Sequence, residues 1–243
     1  FPRCIAAIYR LGTPNILMQA AYTVYIFGLN LILATFSDQA VTVLGLYYKW
    51  QSFFFIPLGS MQTCIVPVVS YNYAARNIDR CKKTLVTAIV FGMALMFLGT
   101  LCFEIIPGPM LRVFSSDEKV IEIGVTAFRI IGISFIPLVS SLTFPVFFQA
   151  VGWSLKSSLL TVFRTVVLFV PLAFIFSRIG GLDWFWLTFP VTDSLSTLLG
   201  FIWYKKFMRR PYASGKKPDD AQKPEEIIKP SKPGVIITIA REH

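Results

Sequence analysis

The chain is divided by long stretches of about 20 residues that carry one charged side chain or none. A helix of that length crosses a hydrocarbon layer roughly 30 Å thick, and this constrains the fold more than any other feature. Six such apolar segments can be marked, at about 14–35, 40–70, 84–106, 119–150, 155–178 and 184–204. A segment inside lipid must satisfy its own backbone hydrogen bonds, so each is predicted to be a helix. The second and fourth are too long for a straight perpendicular span. Both hold internal prolines, Pro57 and Pro67 in one and Pro137 and Pro145 in the other, so tilting or kinking is expected.

Composition agrees with an all-α integral membrane protein. Hydrophobic residues make up 55% of the chain and charged residues 15%, against about a quarter charged in a soluble domain. Mean hydropathy is +0.64. The formal net charge is +10, but residues 205–243 hold 10 basic and 5 acidic residues, so half of the excess lies in the tail. Basic character beside membrane spans points to anionic lipid headgroups rather than nucleic acid, and no surface of interleaved basic and aromatic residues is present. The expected surroundings are therefore a lipid bilayer, with no nucleic acid. Cys4, Cys64, Cys81 and Cys102 are scattered and fit no metal site or disulfide framework, and the one histidine is terminal. The chain begins at Phe1 without a signal-peptide pattern, which reads as a segment of a longer protein.

Basic residues between the spans set an expected orientation. Arg3, Arg10, Arg76, Arg80, Lys82, Lys83, Lys156, Lys205, Lys206, Arg209 and Arg210 fall on one side, and Arg112, Lys119 and Arg178 on the other. The excess of eleven over three puts the first side, and both chain ends, in the cytoplasm. The expected location is the plasma (inner) membrane.

Ionisable groups at bilayer depth are costly and tend to face a cavity or a partner. Lys49 lies eleven residues in from Asp38, about 16 Å along a helix at 1.5 Å per residue, and Asp193 falls near the middle of the last span. They read either as a structural ion pair or as part of a substrate or proton site. Arg129 and Arg164 lie inside the fourth and fifth spans and read either as structural groups, able to snorkel towards a headgroup region, or as members of the candidate substrate or ion pathway. Gln51 and Gln149 add uncharged polar groups to the candidate pathway, with Gln19, Asn30 and Gln62 as interhelical glue. Gly28, Gly45, Gly59, Gly92 and Gly132 suit close helix packing. No enzyme constellation is present: there is no base histidine, no Glu-x-x-His and no nucleophile elbow. The string Phe55-Ile56-Pro57-Leu58 recurs as Phe135-Ile136-Pro137-Leu138, which reads as two similar proline-bearing helices rather than a duplication.

Several runs carry a family resemblance. They are Gly45-Leu46-Tyr47-Tyr48-Lys49-Trp50-Gln51-Ser52-Phe53, then Ile56-Pro57-Leu58-Gly59, then Pro67 to Asn77. Phe148-Gln149-Ala150-Val151-Gly152, Arg164, Pro171-Leu172 and Pro190-Val191-Thr192-Asp193 follow in order, and Arg10-Leu11-Gly12-Thr13-Pro14 precedes them. The chain resembles, over residues 3–210, the multidrug and toxic compound extrusion (MATE) family. The resemblance implies a six-helix lobe, helices seven to twelve of a twelve-helix exporter, whose partner is the N-terminal six-helix lobe of the same protein. It further implies a secondary antiporter that exchanges H+ or Na+ for small, often cationic, organic molecules at a cavity between two pseudo-twofold-related lobes, with no other cofactor. Two departures stand out. Ala74 occupies a position where the family's loop carries glycine, and no carboxylate lies between Pro14 and Phe36, where sodium-coupled members place one.

The alternatives are a lipid-linked or polysaccharide-type flippase of related architecture, handling a more anionic substrate, and a membrane anchor for a fused cytoplasmic domain. Residues 211–233 read as a charged linker. Residues 234–243 end in a β-branched run that resembles the first strand of a cytidylate-kinase-like domain. Intramembrane charge argues against a mere anchor.

Overall fold

The computed structural model describes residues 2–209, and the expected linker and terminal strand lie outside them. Residues Phe1–Lys205 form one compact unit; of the second, Lys206–His243, only the last turn of a helix is described.

Every regular element among the described residues is helical. α1 covers Pro2–Ala34, α2 Asp38–Ala74, α3 Ile78–Ile105, α4 Pro107–Arg112 and α5 Glu118–Ala150. α6, Ser154–Val162, runs through a π-helical segment, Phe163–Phe169, into α7, Val170–Trp186, and α8 covers Thr188–Arg209. Four helical stretches are long and apolar enough to cross a membrane: α2, α3, α5 and the rod Ser154–Trp186, the last broken near its end at Gly181 (φ 70°). In α1 the stretch Met18–Ala34 is apolar. α8 carries Asp193 and several hydroxyls, and it lacks the uniform apolarity of the others.

The helix starts follow from local chemistry. The Ser37 side chain accepts from the Ala40 amide, Asn77 from Arg80 and Asp117 from Lys119. Each satisfies one of the first-turn donors that a helix leaves unpaired. At the ends of α2 and α5 the chain turns through left-handed residues, Arg76 (φ 60°) and Gly152 (φ 82°). In both turns the next amide reaches back to close the last turn, Asn77 to Asn72 and Trp153 to Phe148. Ser70 Oγ donates to the Ala150 carbonyl at 2.8 Å, so these two turns share one end of the bundle. α2 has 37 residues, about 55 Å at 1.5 Å per residue, and therefore outruns even a full bilayer of about 40–45 Å.

α5 is the spine. It packs against α2, α3, α4, α6 and α7. Glycine makes the close α3–α5 approach possible: a Cβ at Gly92 would stand 2.7 Å from Val139 Cγ1, and one at Gly132 2.9 Å from Phe103 Cβ. Gly45 and Gly59, by contrast, face open space and are not packing positions. Phe103, Phe128 and Phe135 fill the seam, with Phe103 stacked on Phe128 at 4.6 Å between ring centroids. The two recurring Phe-Ile-Pro-Leu strings lie side by side, Phe55 and Phe135 having centroids 6.2 Å apart.

Candidate functional site

A cleft of about 290 Å3 opens between α1, α2, α5 and the π-helical segment. Its polar lining comes from Tyr22 and Tyr25 of α1, from Tyr48, Gln51, Ser52 and Gln62 of α2, and from Arg164. Leu58 and Leu138, from the two recurring strings, form part of its apolar floor. Among the described residues no aspartate, glutamate or lysine lines it.

Arg164 is the second residue of the π-helical segment. Pro171, just beyond it, has no N–H to give to the Val167 carbonyl, so the regular i to i−4 ladder fails there. The wider turn absorbs the mismatch and adds a residue to the local register. Phe169, at the end of the segment, sits edge-on to Tyr25 at 4.7 Å and to Phe189 at 4.8 Å, which locks the rod between α1 and α8.

Behind Arg164 stands Asp193 of α8. Arg164 Nε donates to Asp193 Oδ1 at 2.8 Å and Nη2 donates to the same oxygen at 2.6 Å. The aspartate side chain is 2% exposed and the arginine 14%. The pair therefore has an inner member sealed among helices and an outer member at the cleft wall. Thr188, Thr192 and Ser196 fall at i, i+4 and i+8 on α8, all buried, with hydroxyls that meet no hydrogen-bond partner among the described residues. They make the inner face of α8 polar around Asp193. Thr197 Oγ1 donates to the Pro137 carbonyl at 2.7 Å and ties α8 to the proline-bearing turn of α5.

The candidates read from the sequence separate cleanly. Gln51 and Arg164 come together at the cleft, and Asp193 joins them through its ion pair. Lys49, Arg129 and Gln149 are exposed and lie outside the cleft. The pairing of Lys49 with Asp193 is not formed; Arg164 takes that place. The reason is angular. Residues two apart on a helix point about 200° apart, and Tyr47 occupies the inward direction at 1% exposure. Lys49 lies instead beside the α4–α5 connection. Its Nζ sits 4.8 Å from the Phe114 ring centroid in the α4–α5 connection, and the neighbouring Trp50 Nε1 donates to the Met110 carbonyl at 3.1 Å. Arg164, able by its position to snorkel, is held by Asp193. The three tyrosines were not singled out from sequence. Their signal was present as a phenol at each turn of one α1 face, Tyr22 and Tyr25, opposite Tyr48.

Fold and cleft together define a polytopic helical membrane protein with a partly buried polar site. The family model described as MatE matches residues 14–175, and the chain belongs to that family. Among curated relatives, a protein named multidrug export protein MepA from Staphylococcus haemolyticus (strain JCSC1435) is 23% identical over 176 residues, 72% of this chain and 38% of the relative. The protein of that name from Staphylococcus aureus (strain bovine RF122 / ET3-1) is 21% identical over 199 residues, 82% of this chain and 44% of the relative. The chain thus spans less than half the length of these relatives. Among solved structures, an inward-facing MATE family transporter of the MOP superfamily superposes with a TM-score of 0.82 at 20% identity, covering 89% of this chain and 50% of the other. A MOP superfamily transporter from Pyrococcus furiosus, described as having a binding pocket of reverse polarity, gives 0.78 at 23%, covering 83% and 46%. These likenesses establish the shared fold.

Proposed function

We propose that this chain forms one six-span lobe of a secondary transporter, a multi-pass protein of the plasma membrane with both ends of the chain cytoplasmic. It exchanges H+ or Na+ for small organic molecules across the bilayer, and the cleft of Arg164, Gln51 and the three tyrosines is its contribution to the substrate path. One observation carries this reading: a buried carboxylate, Asp193, holds a guanidinium at the wall of a polar cleft inside an otherwise apolar helical body. An inert membrane anchor has no use for so costly a pair. The names of the relatives, multidrug export proteins, support the export direction.

The partner is an N-terminal six-helix lobe, which completes the cavity. Alternating access requires both sides of a central site to move against one another, so residues 1–210 alone are expected not to transport. Substrate accumulation measured in cells that express this segment alone should match an empty-vector control. Efflux above that control means that the segment works as a homodimer and overturns the two-lobe reading.

A second reading is favoured by Arg164 in the cleft wall. A cationic drug would find aromatic faces there but would also meet a guanidinium, whereas a more anionic cargo of flippase type would find a partner for its charge.

A further inference from the structure

The end-on edge of the Arg164 guanidinium is unused. Of the five N–H donors of an arginine, Asp193 takes Nε–H and one Nη2–H, the side-on edge, and both reach a single oxygen. No other acceptor meets Arg164 among the described residues. The remaining edge, formed by Nη1 and the outer N–H of Nη2, has the fork geometry that matches the two oxygens of a carboxylate, sulfonate or phosphate. The guanidinium is 14% exposed at the cleft wall, so an acceptor that enters the cleft can reach this edge.

The surroundings select the same sign of charge. The carboxylate lies behind the guanidinium, and the cleft meets the positive end of the pair. Tyr22, Tyr25, Tyr48, Gln51 and Gln62 bring further O–H and N–H donors to the same lining, which holds no acidic side chain among the described residues. Phe55, Leu58 and Leu138 supply an apolar bed beside them. At about 290 Å3 the space in this lobe sits at the lower end of the roughly 300–1,000 Å3 typical of small-molecule sites.

We propose that Arg164 is the receiving group for an oxyanion, so that the cleft binds molecules pairing a carboxylate, sulfonate or phosphate head with an apolar or aromatic body, and disfavours the matched cations. Gln51 and the tyrosine hydroxyls complete the anion's shell, and Asp193 is a positioning residue that fixes the guanidinium plane. The inference rests on the transporter reading for its biological setting, and the donor residues it names all line this chain's side of the cavity.

The test uses the full-length protein in nanodiscs of zwitterionic phosphatidylcholine, with two probes of one shape and opposite charge: naphthalene-2-sulfonate and 2-naphthyl-trimethylammonium. Equilibrium binding is expected to favour the sulfonate at least tenfold. Arg164→Lys keeps a cation opposite Asp193 and so keeps the pair, but it lacks the fork; sulfonate affinity should fall about fivefold or more while affinity for the cation holds. In the double variant Arg164→Met with Asp193→Leu, the preference should shrink to within threefold. A wild-type protein that binds the ammonium probe as well as or better than the sulfonate overturns the proposal, and so does a sulfonate affinity unchanged in Arg164→Lys. Dihexanoyl phosphatidylglycerol added as competitor separates two sources of the same chemistry: displacement of the sulfonate assigns the anion to a lipid headgroup, and failure to displace assigns it to a water-soluble organic anion. Uptake of both probes into vesicles under proton or sodium gradients is read separately. Sulfonate binding without transport of either probe sinks the transporter reading and leaves the anion site standing; transport with the ammonium preferred does the reverse.

Discussion

α3 and α5 are equally credible membrane spans by length and apolarity, yet they occupy opposite roles. Of the apolar stretch of α5, 67% is buried within the protein; for α3 the figure is 28%. α3 turns Val86, Val90, Phe91, Phe97, Leu98 and Leu101 outward, while α5 buries Ser134, Ser140, Ser141 and Thr143 together with its phenylalanines. In water an apolar side chain seeks the interior because the solvent rejects it. Lipid tails do not reject it, so apolarity carries no information about which face is inside. What marks the interior of such a helix is the small residue that lets backbones approach and the hydroxyl that has nowhere else to go.

That contrast can be broken by substitution, with stability read as thermal unfolding in detergent. The largest effect is expected at Phe135, buried where α5 meets α2 and α3. Phe135→Ala should destabilise by about 3–5 kcal/mol, the range for emptying a large buried aromatic site. Stability within about 1 kcal/mol of wild type would mean that the seam is loosely packed, since cavities in close-packed interiors are felt at that level. Gly92→Val comes next. The first added carbon already stands 2.7 Å from Val139 Cγ1, and overpacking of this kind costs about 1–3 kcal/mol. Gly45→Ala, in open space by the same geometry, serves as the control and should not destabilise measurably. Among the aromatic positions the smallest effect belongs to Phe97, on the outer face of α3: Phe97→Ala should stay within about 0.5 kcal/mol, as for substitutions away from packed features. A loss at Phe97 equal to that at Phe135 would erase the distinction between the two helices and point to a partner covering α3.

The helical class and the main spans were legible because membrane depth imposes length. The expected spans 40–70 and 119–150 became Asp38–Ala74 and Glu118–Ala150, each begun by a cap that the sequence displays, Ser37 and Asp117. The prolines inside them interrupt neither helix. The fifth and sixth spans were less readable. A π-helical segment follows from a local conflict between Pro171 and the hydrogen-bond ladder, and the break at Gly181 (φ 70°) falls between them. The site was half legible. Residue counting placed Asp193 and Arg164 at depth, but depth does not say which way a side chain points. Lys49 and Gln51 show the difference, two residues apart on α2, one exposed beside Phe114 and the other in the cleft. Choosing between Lys49 and Arg164 as the partner of Asp193 required the azimuth of each helix, and that is set by packing across the whole bundle.

The pair itself offers the most direct measurement. Removing only Arg164 strands a buried carboxylate and should cost about 3–5 kcal/mol, whereas replacing both charges with apolar residues is often neutral or better. Arg164→Met with Asp193→Leu should therefore melt within a few degrees of the wild-type full-length protein and far above Arg164→Met alone. If the guanidinium belongs to the substrate path, that stable double variant inserts normally and transports nothing in reconstituted vesicles. A double variant that is equally stable and transports at the wild-type rate reduces the pair to a packing device and contradicts its place in the site.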